Sequence, residues 1–277
     1  MKKFTKGIML LTVTGMLLTG CGAGGDYSGY ASAYKKVTAK GGMEADFDVT
    51  LKMDGETTTS EGNFKLDTSS GKNVLYYEME VGDDTVTQFS DGDYIYTDSQ
   101  DHKTKYAINS KPSGSSDKKE SEQKDSSSTF NTTAFMSEFS SFLEAGKIKE
   151  LGMLSPIEKA AITNVSKDGD VYTLDFSDSL VKKYLNLMIE NETGKSSGDT
   201  LNIDELNDFT YKATATDGII TKVEYTGVIV VNVPGSLMAS GEDTTYDMDL
   251  DIVITFKNPG SAVSVTLPST DGYEEVK

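Results

Sequence analysis

Met43-Glu44-Ala45-Asp46-Phe47-Asp48-Val49-Thr50-Leu51-Lys52-Met53, followed by Asp54-Gly55, is the stretch that decides the fold. Apolar and polar side chains alternate through it without a break, the period of a long β-strand with one buried and one wet face. Asp-Gly is the strongest short signal for a tight hairpin, so the chain turns back at once and Phe64 and Leu66 begin the return strand. The same pattern spreads outward. Leu75, Tyr77, Met79 and Val81 alternate, Gly82-Asp83-Asp84 turns, Val86 to Phe89 runs back, and Asp91-Gly92 introduces Tyr94-Ile95-Tyr96. Turns this short have no room for crossover helices, so the first half is an antiparallel meander. Far along the chain, Phe209, Tyr211, Ala213 and Ala215 alternate up to Asp217-Gly218, and Ile219 to Val233 runs to Pro234. Tyr246, Met248, Leu250, Ile252, Ile254 and Phe256 then alternate with Asp247, Asp249 and Asp251.

Helical signals are grouped elsewhere. Tyr30, Tyr34 and Val37 fall at i, i+4 and i+7 before Gly41-Gly42, which predicts a short amphipathic helix between Tyr27 and Lys40. Residues 110–128 contain no aliphatic or aromatic side chain and read as a disordered insertion. Phe135, Met136, Phe139, Phe142 and Leu143 follow at helical spacing, and Ser155-Pro156-Ile157-Glu158 is a capping box that starts a short helix through Ile162. Gly169 turns into a strand from Val171 to Phe176, and a third helix starts near Asp178, with Leu180, Val181, Tyr184, Leu185, Leu187 and Met188 on one stripe. Strands and helices in separate blocks indicate an α+β fold, with residues 30–277 forming one domain.

The N-terminus carries an address. Lys2, Lys3 and Lys6 precede a short apolar run, Gly7 to Leu18, too brief to anchor in a bilayer and typical of a secretion signal. It ends in Leu18-Thr19-Gly20-Cys21, which resembles the lipobox of bacterial lipoproteins. The resemblance implies cleavage after residue 20 and diacylation of Cys21, with residues 21–29 as a flexible tether. Loss of residues 1–20 removes three Lys and no acid, so the net charge deepens from −18 to −21. The implied address is the extracytoplasmic face of a cell membrane.

Composition excludes several kinds of chemistry. All 26 basic residues are Lys, and the chain holds one Cys and one His against 44 acids. Cys21 alone forbids an internal disulfide or a cysteine-cluster metal site, and His102 alone excludes His-paired zinc motifs and leaves little for a Ser-His-Asp triad. An acidic, Arg-free chain is a poor binder of nucleic acid. Acidic turns such as Asp91-Gly92-Asp93 and Asp168-Gly169-Asp170 lack the spacing of a calcium loop and read as solvated carboxylates. Ser69-Ser70-Gly71-Lys72 and Ser121-Glu122-Gln123-Lys124 match S-x-x-K only in spacing, in a Gly turn and in the polar insertion. The chain is therefore read as a non-enzyme without cofactor or metal.

Two readings of function stay open. A one-sided sheet needs a cover, supplied by helices bearing Phe135, Phe139, Phe142, Leu143, Tyr184, Leu185 and Met188. Loose packing there leaves an apolar cavity for a lipid or other apolar ligand; tight packing leaves an ordinary core. In the second case the outward carboxylates, Glu44, Asp46, Asp48, Asp247, Asp249 and Asp251, form an acidic face for solubility or for a partner the sequence does not identify.

The order of lipobox, N-terminal helix, meander with Asp91-Gly92-Asp93-Tyr94-Ile95-Tyr96, mid-chain helices, and a last strand leading to Phe256-Lys257-Asn258-Pro259 and Val263-Ser264-Val265-Thr266-Leu267-Pro268 resembles Gram-positive lipoproteins of the LolA/LppX-like superfamily, including the DUF6612 type. The resemblance covers most of residues 27–276. It implies an open antiparallel half-barrel wrapped over a few helices, with a concave cavity that carries lipid in better-understood members. The Arg that gates ligand in lipoprotein carriers has no counterpart in an Arg-free chain, and an anchor at Cys21 implies local capture in place of shuttling.

Overall fold

The structure, a computed structural model, describes residues 24–69, 73–81, 84–99, 102–107, 162–182, 186, 202–237 and 241–275. These residues form a large, mostly-strand, open antiparallel sheet. Its strands are β1 (Gly24–Gly25), β2 (Gly42–Met53), β3 (Glu56–Asp67), β4 (Val74–Val81), β5 (Asp84–Ser90), β6 (Tyr94–Ser99), β7 (His102–Ala107), β8 (Ile162–Asp168), β9 (Val171–Phe176), β10 (Asn202–Thr216), β11 (Ile219–Val233), β12 (Thr244–Phe256) and β13 (Glu274–Glu275). Helix α1 (Tyr27–Lys35) and a 3₁₀ turn at Gly235–Leu237 accompany them, and a helical stretch begins at 178–182. The order across the 13 strands is β1-β8-β9-β10-β11-β12-β2-β3-β4-β5-β6-β7-β13, which fits an open half-barrel.

Each half is a meander, and one pairing fuses them. β12 lies antiparallel to β2 from Met248↔Met53 to Phe256↔Ala45, so the two most strictly alternating stretches of the sequence are neighbours at the centre of the sheet. Asp54-Gly55 and Asp217-Gly218 both take positive φ at both residues, the geometry of the two-residue hairpin loop that matches strand twist. Asp91 closes the β5–β6 turn by accepting the amides of Asp93 and Tyr94 on Oδ1 at 2.9 and 2.8 Å.

Alternation became burial. Met43, Ala45, Phe47, Val49 and Leu51 are buried on the inner face with Phe64, Leu66, Leu75, Tyr77 and Met79 beside them, and Met248, Leu250, Ile252, Ile254 and Phe256 on the other side. Each such Val, Leu, Ile, Phe or Met side chain contributes about 1.5–3 kcal/mol on leaving water. Helix α1 adds Tyr30, Ala33 and Tyr34, with Val37 just beyond it, to the same cluster.

Several expectations are corrected. Ile162, expected to end a helix, opens strand β8, and His102, expected in a loop, opens strand β7. β3 and β10 begin well before the apolar residues that signalled them, because polar runs such as Thr57-Thr58-Thr59-Ser60 pair with β2 residue for residue. Gly24 and Gly25, read as tether, pair with Asn164 and Val165 of β8. The insertion at 110–128 and the two helices expected between 135 and 161 lie outside the described residues.

After β12 the chain crosses to the outer face and runs back as an irregular strap. Lys257 N donates to Glu44 O at 2.7 Å and Gly260 N to Val37 O at 2.9 Å. A Cβ on Gly42 would come within 2.7 Å of Val263 Cβ, so the strap lies flat on β2 only because that residue is Gly. It ends with Leu267 and Tyr273 over Phe89 and Tyr96 on the outer side of β5 and β6, and with β13 parallel to β7 at the sheet edge.

Candidate functional site

The inner face is graded. At the end formed by β9 to β12 and α1 it is aromatic: Tyr30 and Tyr211 meet edge-on with centroids 6.0 Å apart, and Tyr211 lies 4.8 Å from Tyr225. The Tyr30 and Tyr211 hydroxyls share a hydrogen bond of 2.7 Å, which satisfies both groups in a dry environment. Burial, followed by the neighbouring phenols, holds the Tyr211 hydroxyl well above the usual tyrosine range.

The centre is aliphatic and adaptable. Met43, Met79 and Met248 are buried there, with Met53 partly buried against the cluster and opposite Met248. Thioether side chains fill irregular space and re-pack easily. Gly62 breaks the alternation of β3, and the Phe47 ring lies across it: a Cβ on Gly62 would fall 2.3 Å from Phe47 Cζ. Phe47 then stacks on Tyr77 at 5.4 Å and 9°. Burial alone drives the Tyr77 phenol far upward, and its hydroxyl donates to Met79 Sδ at 3.1 Å.

From β3 outward, buried polar side chains join the inner face. Among the described residues, the buried polar side chains are Ser60, Gln88, Ser90 and Thr97. All four point to the inner face of β3, β5 and β6, since Ser60 pairs with Val49, Gln88 with Tyr77 and Thr97, and Ser90 with Leu75. Ser60 Oγ donates to Glu80 O, Gln88 Nε2 donates to Thr97 Oγ1 at 3.5 Å, and Ser90 Oγ accepts Gly92 N at 3.1 Å. Such groups are retained inside an apolar layer only where partners meet them.

Cys21, Phe135, Phe139, Phe142, Leu143, Tyr184, Leu185 and Met188, the anchor and cover residues expected from sequence, lie outside the described residues. The described start of the third helix does reach the sheet. Val181 packs against the main cluster, and Lys182 Nζ donates to Asp204 O. Asn186, which the apolar pattern could not single out, reads the backbone of Ile203 twice: its Nδ2 donates to Ile203 O at 2.8 Å and its Oδ1 accepts Ile203 N at 2.6 Å. A side-chain amide used in this way copies a strand partner and pins the segment to the start of β10.

The outer face brings together the acidic residues that the sequence singled out. Asp249 and Asp251 of β12 sit beside Lys52 and Thr50 of β2, and Asp48 of β2 opposes Glu61 of β3, which opposes Glu80 of β4. Lys65 meets Glu44 at 3.2 Å and Lys257 meets Asp46, so this end of the face is partly neutralised. The hydrogen bond and charge of Asp46 raise the Lys257 ammonium above its usual range. Tyr76 donates to Glu78 at 2.6 Å; burial first, and then that carboxylate, push its phenol up to about 12. No group of acidic or His side chains among the described residues is arranged to hold a metal ion. No helix among them is long and apolar enough to cross a membrane.

No protein-family model and no curated protein matches the chain. Among solved structures, it is similar to a DUF1329 family protein from Desulfovibrio piger at 10% identity, over 84% of this chain and 91% of that one, with a TM-score of 0.28. At that score the two folds are not equated.

Proposed function

We propose that this protein is a membrane-anchored, extracytoplasmic lipoprotein that holds a lipid or other amphipathic envelope molecule against the inner face of its half-barrel sheet. One observation carries the reading: the inner face runs from tyrosines through methionines and aliphatic side chains to buried polar side chains at Gln88, Ser90 and Thr97. An acyl chain suits the first two zones and a polar headgroup the third. Under this reading the cover expected from the sequence, bearing Phe135, Phe139, Phe142 and Leu143, and Tyr184, Leu185 and Met188, belongs over this face, as the resemblance to the LolA/LppX-like superfamily implies. The diacylated Cys21 keeps the domain where such ligands are abundant, since each buried CH₂ of its acyl chains adds about 0.8 kcal/mol of membrane affinity.

The test is native mass spectrometry and solvent extraction of a soluble form that begins at Gly22, followed by exchange with a fluorescent fatty acid. Stoichiometric lipid that exchanges supports the reading. Protein free of lipid under all conditions, and unable to take up the probe, refutes it.

A second reading is favoured by one feature, the row Asp48, Glu61 and Glu80 directly opposite one another on the outer face. Like charges so placed destabilise a sheet, and their retention suits a surface that meets a cationic partner over a filled core. Under this reading the lipid screen is empty and a lysine-rich peptide binds with strong salt dependence.

A further inference from the structure

Few residues separate Cys21 from the first strand of the sheet. Gly24 and Gly25 form β1, parallel to β8, and Asp26 N donates to Val165 O at 3.0 Å before α1 begins at Tyr27. The pairing depends on glycine: Gly25 has φ +75°, and a Cβ there would fall 2.2 Å from Val165 O. The chain is thus fixed to the sheet from Gly24 onward. Three Cα–Cα steps separate Gly24 from Cys21, a reach of at most about 11 Å. The opposite edge, at β13, lies twelve strand spacings away, roughly 55–60 Å along the sheet.

We infer that β1 is a short leash that seats the β8 edge of the sheet on the outer surface of the lipid bilayer, so that the inner face is loaded across that edge. This rests on the reading of Cys21 as the acylated residue. Ile162, Val165, Tyr172 and Leu174, all buried on β8 and β9, are then the inner-face residues nearest the lipid. The charge of the chain works with the leash. An anionic membrane repels an acidic domain over about a Debye length, near 8 Å in physiological salt, and a leash of similar length turns that repulsion into orientation. The acidic face of β2, β3, β4 and β12 swings away while the β8 edge stays down.

The chain contains no Trp, so an introduced Trp is a unique reporter. The full-length chain is expressed in a bacterium that acylates lipoproteins and transferred to phosphatidylcholine–phosphatidylglycerol vesicles doped with a nitroxide-headgroup lipid. Ser166→Trp, with Asp168→Trp as a second reporter on the same strand, is compared with Glu275→Trp on β13; all three positions are exposed. Quenching several-fold stronger on β8 than on β13 is expected, and inserting twelve Gly/Ser residues between Ala23 and Gly24 is expected to halve the difference or more, since such a linker spans about 20 Å. Equal quenching at the two edges, or a difference that survives the insertion, overturns the leash. Intact mass is recorded on the same samples: an unmodified Cys21 refutes the lipoprotein reading, and an acylated one leaves the quenching to decide the leash by itself.

Discussion

Tyr273→Ala tests whether the C-terminal strap is an integral part of the sheet. Tyr273 is 9% exposed and sits edge-on to Phe89 at 5.6 Å and to Tyr96 at 5.2 Å, with Lys103 Nζ 5.3 Å from its ring centroid. Truncating a buried aromatic costs about 3–5 kcal/mol, each edge-to-face pair supplying about 0.5–1.5 kcal/mol of that. A ceiling applies, because the strap lies on the outer face and can undock without unfolding β2 to β6. Once residues after Val263 have left the outer face, no more is lost, so the cost cannot exceed the docking free energy of that segment. The expected loss is therefore at the lower end, about 3 kcal/mol. Urea denaturation measures it, and hydrogen exchange locates it: amides of β7 lose protection with β13, while those of β2 and β12 do not. Tyr273→Phe keeps the ring and its contacts and is expected to cost under about 1 kcal/mol. An Ala variant within about 1 kcal/mol of the wild type, with β7 protection unchanged, would refute a docked strap.

Three further outcomes follow from the same geometry. Gly62→Ala is expected to destabilise by about 1–3 kcal/mol or more, and adding Phe47→Leu is expected not to rescue it, because the new Cβ also falls 2.2 Å from Glu78 O; rescue in thermal melts would show that the backbone contact is unimportant. Glu61→Gln relieves the Asp48–Glu61–Glu80 row and is expected to stabilise by about 0.2–1 kcal/mol, less so in high salt; a loss of stability would mean that the row is neutralised by a bound cation. Tyr76 and Tyr96 are both raised to about 12, by burial first and then by hydrogen bonds to Glu78 and Asp91. A raised folded-state value favours the protonated phenol, so this stabilisation is complete below pH 10 and is lost as pH climbs from 10 to 12; ultraviolet titration of tyrosinate should find these phenols ionising late and with unfolding, and normal titration near 10 would contradict their burial.

How much of this was legible depended on whether a residue's reason lay in its own strand. Met43 to Met53 and Tyr246 to Phe256 declared themselves because each is apolar on one face and acidic on the other, and Asp54-Gly55 and Asp217-Gly218 named their turns. Strands β7 and β8 did not, because His102-Lys103-Thr104-Lys105 and Thr163-Asn164 carry too little apolar periodicity and are held by cross-strand partners. The polar start of β3 is a similar case: Thr57 to Ser60 become a strand because β2 dictates the register. Asn186 was invisible because its role is to read the backbone of Ile203, 17 residues away. The candidate site divides along the same line. The aromatic and methionine zones follow from alternation alone, whereas the polar zone at Gln88, Ser90 and Thr97 exists only once β4, β5 and β6 are paired. Glycine shows the limit most clearly. Gly24 and Gly25 look in sequence like two more units of a flexible tether, yet the absence of a Cβ at Gly25 is what lets β1 lie against Val165 O. The same composition that would make a loose linker therefore makes a tight one. On the proposed acylation of Cys21, flexible residues at 24 and 25 would leave the domain free to take any orientation at a membrane, whereas their pairing to β8 would set which edge faces the lipid.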